Sequence, residues 1–323
     1  MIKNIKIDDI PIHSADISYL LNDSVGFIQI KQFSANTYNE FMAAFEDLTD
    51  KNKAKHLVID LRGNPGGYLP QATKIVNQLI KEKKQIIVTT KDKNGNSEEY
   101  FTTGHSFFNI DKIAILVDEY SASGSEVIAG AIQDHDRGII IGQTTYGKGL
   151  VQEQFNLSNG AAIRLTTARY YTPSGRSIQK NYEKGDSSKI DTSAYKTLYL
   201  GRTIYGGGGI KPDVVIDFNK PNHYDRYSLR NSILDFVLIK LLRQEIKSKA
   251  NIDYAKLSKE FINWNVKGKS ISYQENEIDS ALKDEINYLF SNGDDEVISI
   301  EKSKNDAFIN AALNYITGKT KLK

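Results

Sequence analysis

"KIAILVDEYSASGSEVIAGAIQDHDRGIIIG", residues 112–142, is the stretch on which the reading of this chain turns. The run KIAILVDE (112–119) is short, apolar and closed by acidic residues, as strands buried on both faces are. A helical pattern starts near Ser123, and a second apolar run, GIIIG, follows at 138–142. Strand, helix and strand in this order predict a βαβ unit and a parallel sheet.

The segments upstream extend the same alternation. VGFIQIK (25–31) alternates like a strand, and Thr37 with Glu40 forms a capping-box pattern ahead of Phe41, Phe45 and Leu48 on one helical face. HLVIDL (56–61) is another buried strand, followed by the glycine-rich turn RGNPGGY (62–68) and a helix carried by Leu69, Ala72, Val76 and Leu79. QIIVTT (85–90) is a strand, and Asn94-Gly95 marks a hairpin turn. The predicted class is therefore α/β with a mainly parallel sheet.

Downstream, LVQEQFNL, the turn SNG and AAIRLTTARYY form a hairpin signature, and residues 180–198 are polar enough for a surface loop. A turn and a last strand are expected in 201–217. From about residue 222 helical patterns dominate, with Leu229, Ile233, Phe236 and Val237 on one face and Ile278, Leu282, Ile286 and Leu289 on another. Residues 1–23 are read as an N-terminal extension, 24–221 as the α/β core, and 222–323 as a helical region for packing or self-association.

Composition narrows the function classes. The 323 residues are 40% apolar and 25% charged, as in ordinary globular chains. Lys and Arg total 42 against 40 Asp and Glu, a net charge of +2, which gives no basis for a nucleic acid or an anionic membrane as partner. There is no cysteine, which excludes disulfides, thiol catalysis and cysteine metal sites. The first residues do not resemble a secretory signal, and no run approaches the roughly 20 apolar residues of a membrane helix.

IIIGQTTYGKGLVQ (139–152) places Gly142, Gly147 and Lys148 where a phosphate-binding P-loop needs them. Two requirements fail. Gly149 stands where the Ser or Thr that binds Mg²⁺ belongs, and the following residues read as a strand instead of a phosphate-binding helix. A nucleotide partner is not expected.

Lys148 has another use if Ser123 is a nucleophile. A serine at a helix N-terminus lies beside free backbone N–H groups that stabilise an oxyanion, although such serines are commonly only helix caps. The G-x-S-x-G elbow is absent, since Ser121 occupies its first glycine place. Of the five histidines, His135 lies twelve residues on along the same helix, about 18 Å away, and His13, His56, His105 and His223 share no motif with Ser123. A Ser-Lys dyad remains, and a lysine acts as base only when neutral, a form that apolar burial favours. On a strand continuing from Lys148, Gln152 falls on the same face and can orient the amine.

DLRGNPGG, SASGSEVIAGAIQD, GQTTYGKGLVQ, ARYYTPSGRSIQ and GGGGIKPD occur in that order. Together they resemble the C-terminal processing (tail-specific) serine peptidases over about residues 24–217. The resemblance implies Ser123 as nucleophile, Lys148 as general base, Gln152 as its positioning partner, and Asp134 in a supporting role. It implies an oxyanion hole from the N–H of Gly124 and that of Gly66 or Gly67, with no metal or cofactor. It further implies a core related to those of ClpP and the crotonases, protein or peptide substrates and an extracytoplasmic location. An upstream PDZ domain is also usual in that family, whereas about twenty residues precede the first core strand here. Two rivals follow from the same fold: a crotonase-like acyl-CoA enzyme, and a catalytically silent peptide-binding scaffold. The first lacks a carboxylate beside the glycine turns, and the second has to explain an intact Ser123, Lys148 and Gln152.

Overall fold

The computed structural model describes residues 13–15, 17–180, 193–216, 223–248, 250, 252–265, 275–290, 300, 303–304 and 306–322. Its contacts divide into two units, Met1–Ile216 with Asp306–Lys323, and Asp217–Asn305.

The first unit is built on a six-stranded sheet. Strands β1 (Ile17–Asn22), β2 (Val25–Gln29) and β3 (His56–Asp60) are followed in space by β6 (Ile113–Val117), β7 (Ile139–Gly142) and β12 (Val214–Val215). Only β1 runs antiparallel to its neighbour. Helices α1 (Thr37–Glu46), α2 (Leu69–Leu79) and α3 (Gly124–Asp134) are the crossovers. Strand side chains alternate between faces. Leu57, Ile59, Ile113, Ile115, Val117 and Ile140 share one core with apolar residues of these helices. Every residue of α3 is buried, as its apolar and small composition requires.

The alternate residues Val58, Ala114, Leu116, Ile139 and Ile141 are equally buried on the other face. Their cover is α7 (Ala307–Ile316), which packs on β3, β6 and β7 through an apolar side that includes Phe308, Ile309 and Ala312. Arg62 ties the start of α7 to the turn after β3, through Asp306 Oδ2 (2.7 Å) and the Phe308 ring (4.7 Å to its centroid). Lys112 Nζ caps its end by donating to the carbonyls of Tyr315 and Ile316. The expected helical region 222–323 is corrected accordingly. Its last helix belongs to the α/β unit, because a parallel sheet needs both faces covered.

A second sheet is wholly antiparallel, in the order β5 (Ser97–Phe101), β4 (Ile86–Asp92), β9 (Ala162–Tyr171) and β8 (Leu150–Asn156). It contains the expected hairpin of β8 and β9. The Asn94-Gly95 turn joins β4 to β5, a polar strand that had no apolar alternation to reveal it. Most of the expected surface loop 180–198 lies outside the described residues. Within it, β10 (Ala194–Lys196) pairs with β11 (Thr203–Tyr205) as a strand.

The Thr37–Glu40 capping box does not form. Thr37 already lies inside α1, and the Glu40 carboxylate turns instead to Ser14 N, Ser14 Oγ and Ala15 N at 2.7–3.0 Å. Burial opposes ionisation of Glu40, but hydrogen bonds from Ser14, Ala15 and Asn36 outweigh it and hold the carboxyl at about 2.

The second unit contains α4 (His223–Leu242), α5 (Tyr254–Asn265) and α6 (Glu275–Phe290). Its own core joins Leu229, Ile233, Phe236 and Val237 with Phe261, Ile278, Leu282 and Ile286, and Leu289 packs against it. Among the described residues no helix is long and apolar enough to cross a membrane.

Candidate active site

Strands β3, β6 and β7 are parallel neighbours, so the turns after their carboxyl ends meet at one edge of the sheet. Ligand sites of open α/β sheets form at such edges. These three turns carry Gly66 and Gly67, Ser123, and Lys148.

The turn after β3 is organised by Asn64, which is fully buried. Asn64 Nδ2 donates to Ile30 O (2.8 Å), and Asn64 Oδ1 accepts from Gly66 N–H (2.8 Å). Asn64 O accepts from Ala122 N–H (3.0 Å) and Ser125 Oγ (3.1 Å), which draws the turn against the start of α3. Gly66 has φ +95°, and a Cβ there would stand 2.7 Å from Ser123 Cβ. At Gly67, with φ +147°, a Cβ would stand 2.1 Å from Phe33 O. Only glycine permits either approach. Among the described residues the N–H groups of Gly67 and Gly124 have no hydrogen-bond partner, whereas that of Gly66 is already committed to Asn64.

The turn after β6 is folded by Asp118, whose Oδ1 accepts from Gly63 N–H (2.9 Å) and Tyr120 N–H (3.0 Å). It delivers Ser123 to the N-terminus of α3 with φ 54° and ψ −111°. For a residue with a Cβ this is strained backbone, of order 1–3 kcal/mol, which persists only where the surroundings enforce it. Two side chains do so. Ser123 N–H donates to Glu126 Oε2 (2.9 Å), and Ser123 O accepts from Tyr170 Oη (3.1 Å). Tyr170 lies on β9 and is buried; burial and the nearby Glu126 charge hold its hydroxyl well above the ordinary tyrosine range.

After β7 the chain runs irregularly to β8, and no helix follows Lys148. The order of elements a P-loop requires is absent. Lys148 is partly exposed, and its Nζ donates to Gln152 Oε1 at 3.2 Å. Among the described residues no hydrogen bond links it to Ser123. Gln152 lies on β8, beside a bulge between Val151 and Gln152 that interrupts the regular register with β9.

Glu126 joins two of the turns. Its side chain is wholly buried, and Oε1 accepts from Thr145 Oγ1 (2.6 Å) and Gly147 N–H (2.8 Å). Its Oε2 accepts from Lys148 N–H (2.9 Å) as well as from Ser123 N–H. Burial pushes the carboxyl up, against the opposing effect of these four hydrogen bonds. No sequence pattern marks Glu126, Asn64, Thr145 or Tyr170 as part of the site. Glu126 did carry a signal, three places after a helix-starting serine, but that pattern says only that it caps its own helix.

Asp134 is not among the groups brought together. It ends α3, about 16 Å along the axis from Ser123, in a buried ion pair with Arg176 (2.7 Å). Its Oδ2 also accepts from Ser174 N–H (3.0 Å). Among the described residues no histidine side chain is hydrogen-bonded to Ser123. His135 Nε2 meets Ile86 O (2.7 Å), His13 lies by Glu40, and His56 Nδ1 accepts from Lys112 N–H.

The comparisons with known proteins bear on this arrangement. The carboxy-terminal-processing protease of Bartonella bacilliformis is 34% identical over 250 residues, covering 76% of this chain and 50% of the relative. The carboxyl-terminal-processing protease of a Synechocystis species is 40% identical over 157 residues, covering 49% and 36%. The chain thus spans half or less of the length of these two relatives. Among solved structures, a photosystem II D1 C-terminal processing protease aligns with 31% identity and a TM-score of 0.47, over 60% of this chain and 42% of that one. The family model for peptidase family S41 matches residues 24–216, the stretch holding all three turns and the hairpin behind Lys148, and the chain belongs to that family.

Proposed function

We propose that the protein is a serine endopeptidase with a Ser-Lys dyad, acting on unfolded or tail-exposed polypeptides. The observation that carries this reading is Ser123 held in strained backbone at a helix N-terminus, with Lys148 on the adjoining turn and its partner Gln152 on β8. Ser123 Oγ attacks the peptide carbonyl carbon while neutral Lys148 Nζ accepts the hydroxyl proton. The tetrahedral oxyanion is met by the N–H groups of Gly124 and Gly67. Gly67 is preferred to Gly66, whose N–H already serves Asn64. Collapse of the intermediate breaks the C–N bond, and Lys148 passes its proton to the leaving amine. Water then hydrolyses the acyl-enzyme by the same route, and none of these steps needs a metal or cofactor.

Lys148 Nζ bonds Gln152 Oε1, and the dyad requires the lysine side chain to carry Nζ from there to Ser123 Oγ. Asp134 supports the site indirectly, by fixing Arg176 and the segment after β9. An extracytoplasmic location belongs to the same reading, on the strength of the resemblance to the processing proteases.

Mass spectrometry of the products from an unfolded test protein checks the reading. Wild type is expected to yield discrete peptides, and Ser123→Ala and Lys148→Ala each to lose about 10³-fold or more in rate with the fold intact. Full activity in Lys148→Ala overturns the dyad.

A further inference from the structure

We infer that Glu126 is a positioning residue of this site: its carboxylate fixes the turn bearing the nucleophile against the loop bearing the base. The inference rests on the peptidase reading above and assigns one more residue to that site. Glu126 is the one described side chain that bonds the backbone of both Ser123 and Lys148, at 2.9 Å each and through a single oxygen. The second oxygen holds Gly147 N–H and Thr145 Oγ1. Thr145 Oγ1 itself accepts from Ile210 N–H (2.7 Å), so its proton is directed at Glu126. All four groups around the carboxylate are therefore donors, and only a group with two acceptor oxygens satisfies them together.

A helix cap alone would need one of these bonds. The other three reach across 19 to 22 residues of sequence to the loop after β7. Burial works against the charge, yet helix α3 points its N-terminus at it and the donors converge on it. The stereochemical consequence concerns Ser123 and Lys148 directly. Displacement of about 1 Å between reacting groups is enough to lower a rate about 10²-fold.

Glu126→Gln is the test, with the intact chain. The amide keeps the shape but turns an NH₂ toward two of the four donors, whichever way it is placed. Circular dichroism is expected to report a folded protein, since relief of the buried charge offsets part of the lost bonding. Turnover of a peptide substrate is expected to fall about 10²-fold in kcat with KM within threefold of wild type. Labelling of Ser123 by a fluorophosphonate is expected to slow in parallel. Should that variant not fold, Glu126→Asp carries the same test, because it keeps the charge and is one methylene too short to span both segments. A folded variant with kcat within threefold of wild type overturns the inference, as does a loss confined to KM. Two variants that both fail to fold overturn it as well, making Glu126 a folding residue. A wild-type protein that neither cleaves peptide nor reacts at Ser123 defeats the peptidase reading itself, which separates the two failures.

Discussion

At its first turn helix α3 carries Glu126 and at its last Asp134; both carboxylates are wholly buried, yet their partners differ in kind. Asp134 is matched by a full positive charge, Arg176, itself without exposure and fixed by Gln133 Oε1 (2.7 Å) and Tyr205 O (2.9 Å). Among the described residues Glu126 is bonded by no cation, only by backbone N–H groups and one hydroxyl. The helix dipole accounts for part of the difference. The N-terminal end favours an anion, whereas the C-terminal end repels one and requires a cation. One end of the helix is thus a neutralised, locked joint. The other keeps a charge held by dipoles, next to a strained serine, in an arrangement suited to chemistry.

The comparison is broken most severely at the locked end. Asp134→Ala leaves Arg176 buried without its counter-ion, and is expected to lower unfolding free energy by about 3–5 kcal/mol in urea. Cleavage per folded molecule, normalised by titration with a fluorophosphonate, should stay close to wild type. A large loss of specific activity at unchanged stability would give Asp134 a direct part in the reaction.

A smaller effect is expected from Tyr170→Phe, which removes the hydroxyl that donates to Ser123 O. Stability should fall by about 1 kcal/mol. Turnover should fall roughly tenfold, the equivalent of about 1.4 kcal/mol in the barrier. The hydroxyl is held protonated well above the ordinary tyrosine range, so the defect should not vary across neutral pH. A defect that appears only above pH 8 would contradict this assignment.

The smallest expected effect sharpens the strained end. Ser123→Ala keeps a Cβ at φ 54°, whereas Ser123→Gly removes it. Both should be inactive, and the glycine variant is expected to be the more stable by about 0.5–1 kcal/mol in thermal unfolding. Equal melting temperatures would mean that the turn relaxes around Ser123 and that no strain is stored there.

The parallel core was legible because β3, β6 and β7 are continuous apolar runs with glycine-rich or helix-starting sequences after each. Lys148 Nζ and Gln152 Oε1 are bonded, but Lys148 precedes β8 and a bulge stands before Gln152, so strand alternation alone does not account for their meeting. The strands Ser97–Phe101 and Ala194–Lys196 were not legible, since polar edge strands carry no burial period. The last helix was assigned to the wrong unit for a related reason. An amphipathic pattern states that one face must be buried, and does not state against what.

Sequence by itself determined the kinds of group available: a serine at a helix start, a lysine between glycines, no cysteine, and glycines where the chain must turn tightly. Those follow from local chemistry, which is written residue by residue. Which groups meet was decided only by the tertiary structure. Glu126 bonds Thr145, Gly147 and Lys148, Tyr170 reaches Ser123 from another sheet, and Asn64 takes the N–H of Gly66 but not that of Gly67. These bonds depend on strands β3, β6 and β7 lying side by side, a long-range pairing that no local pattern encodes.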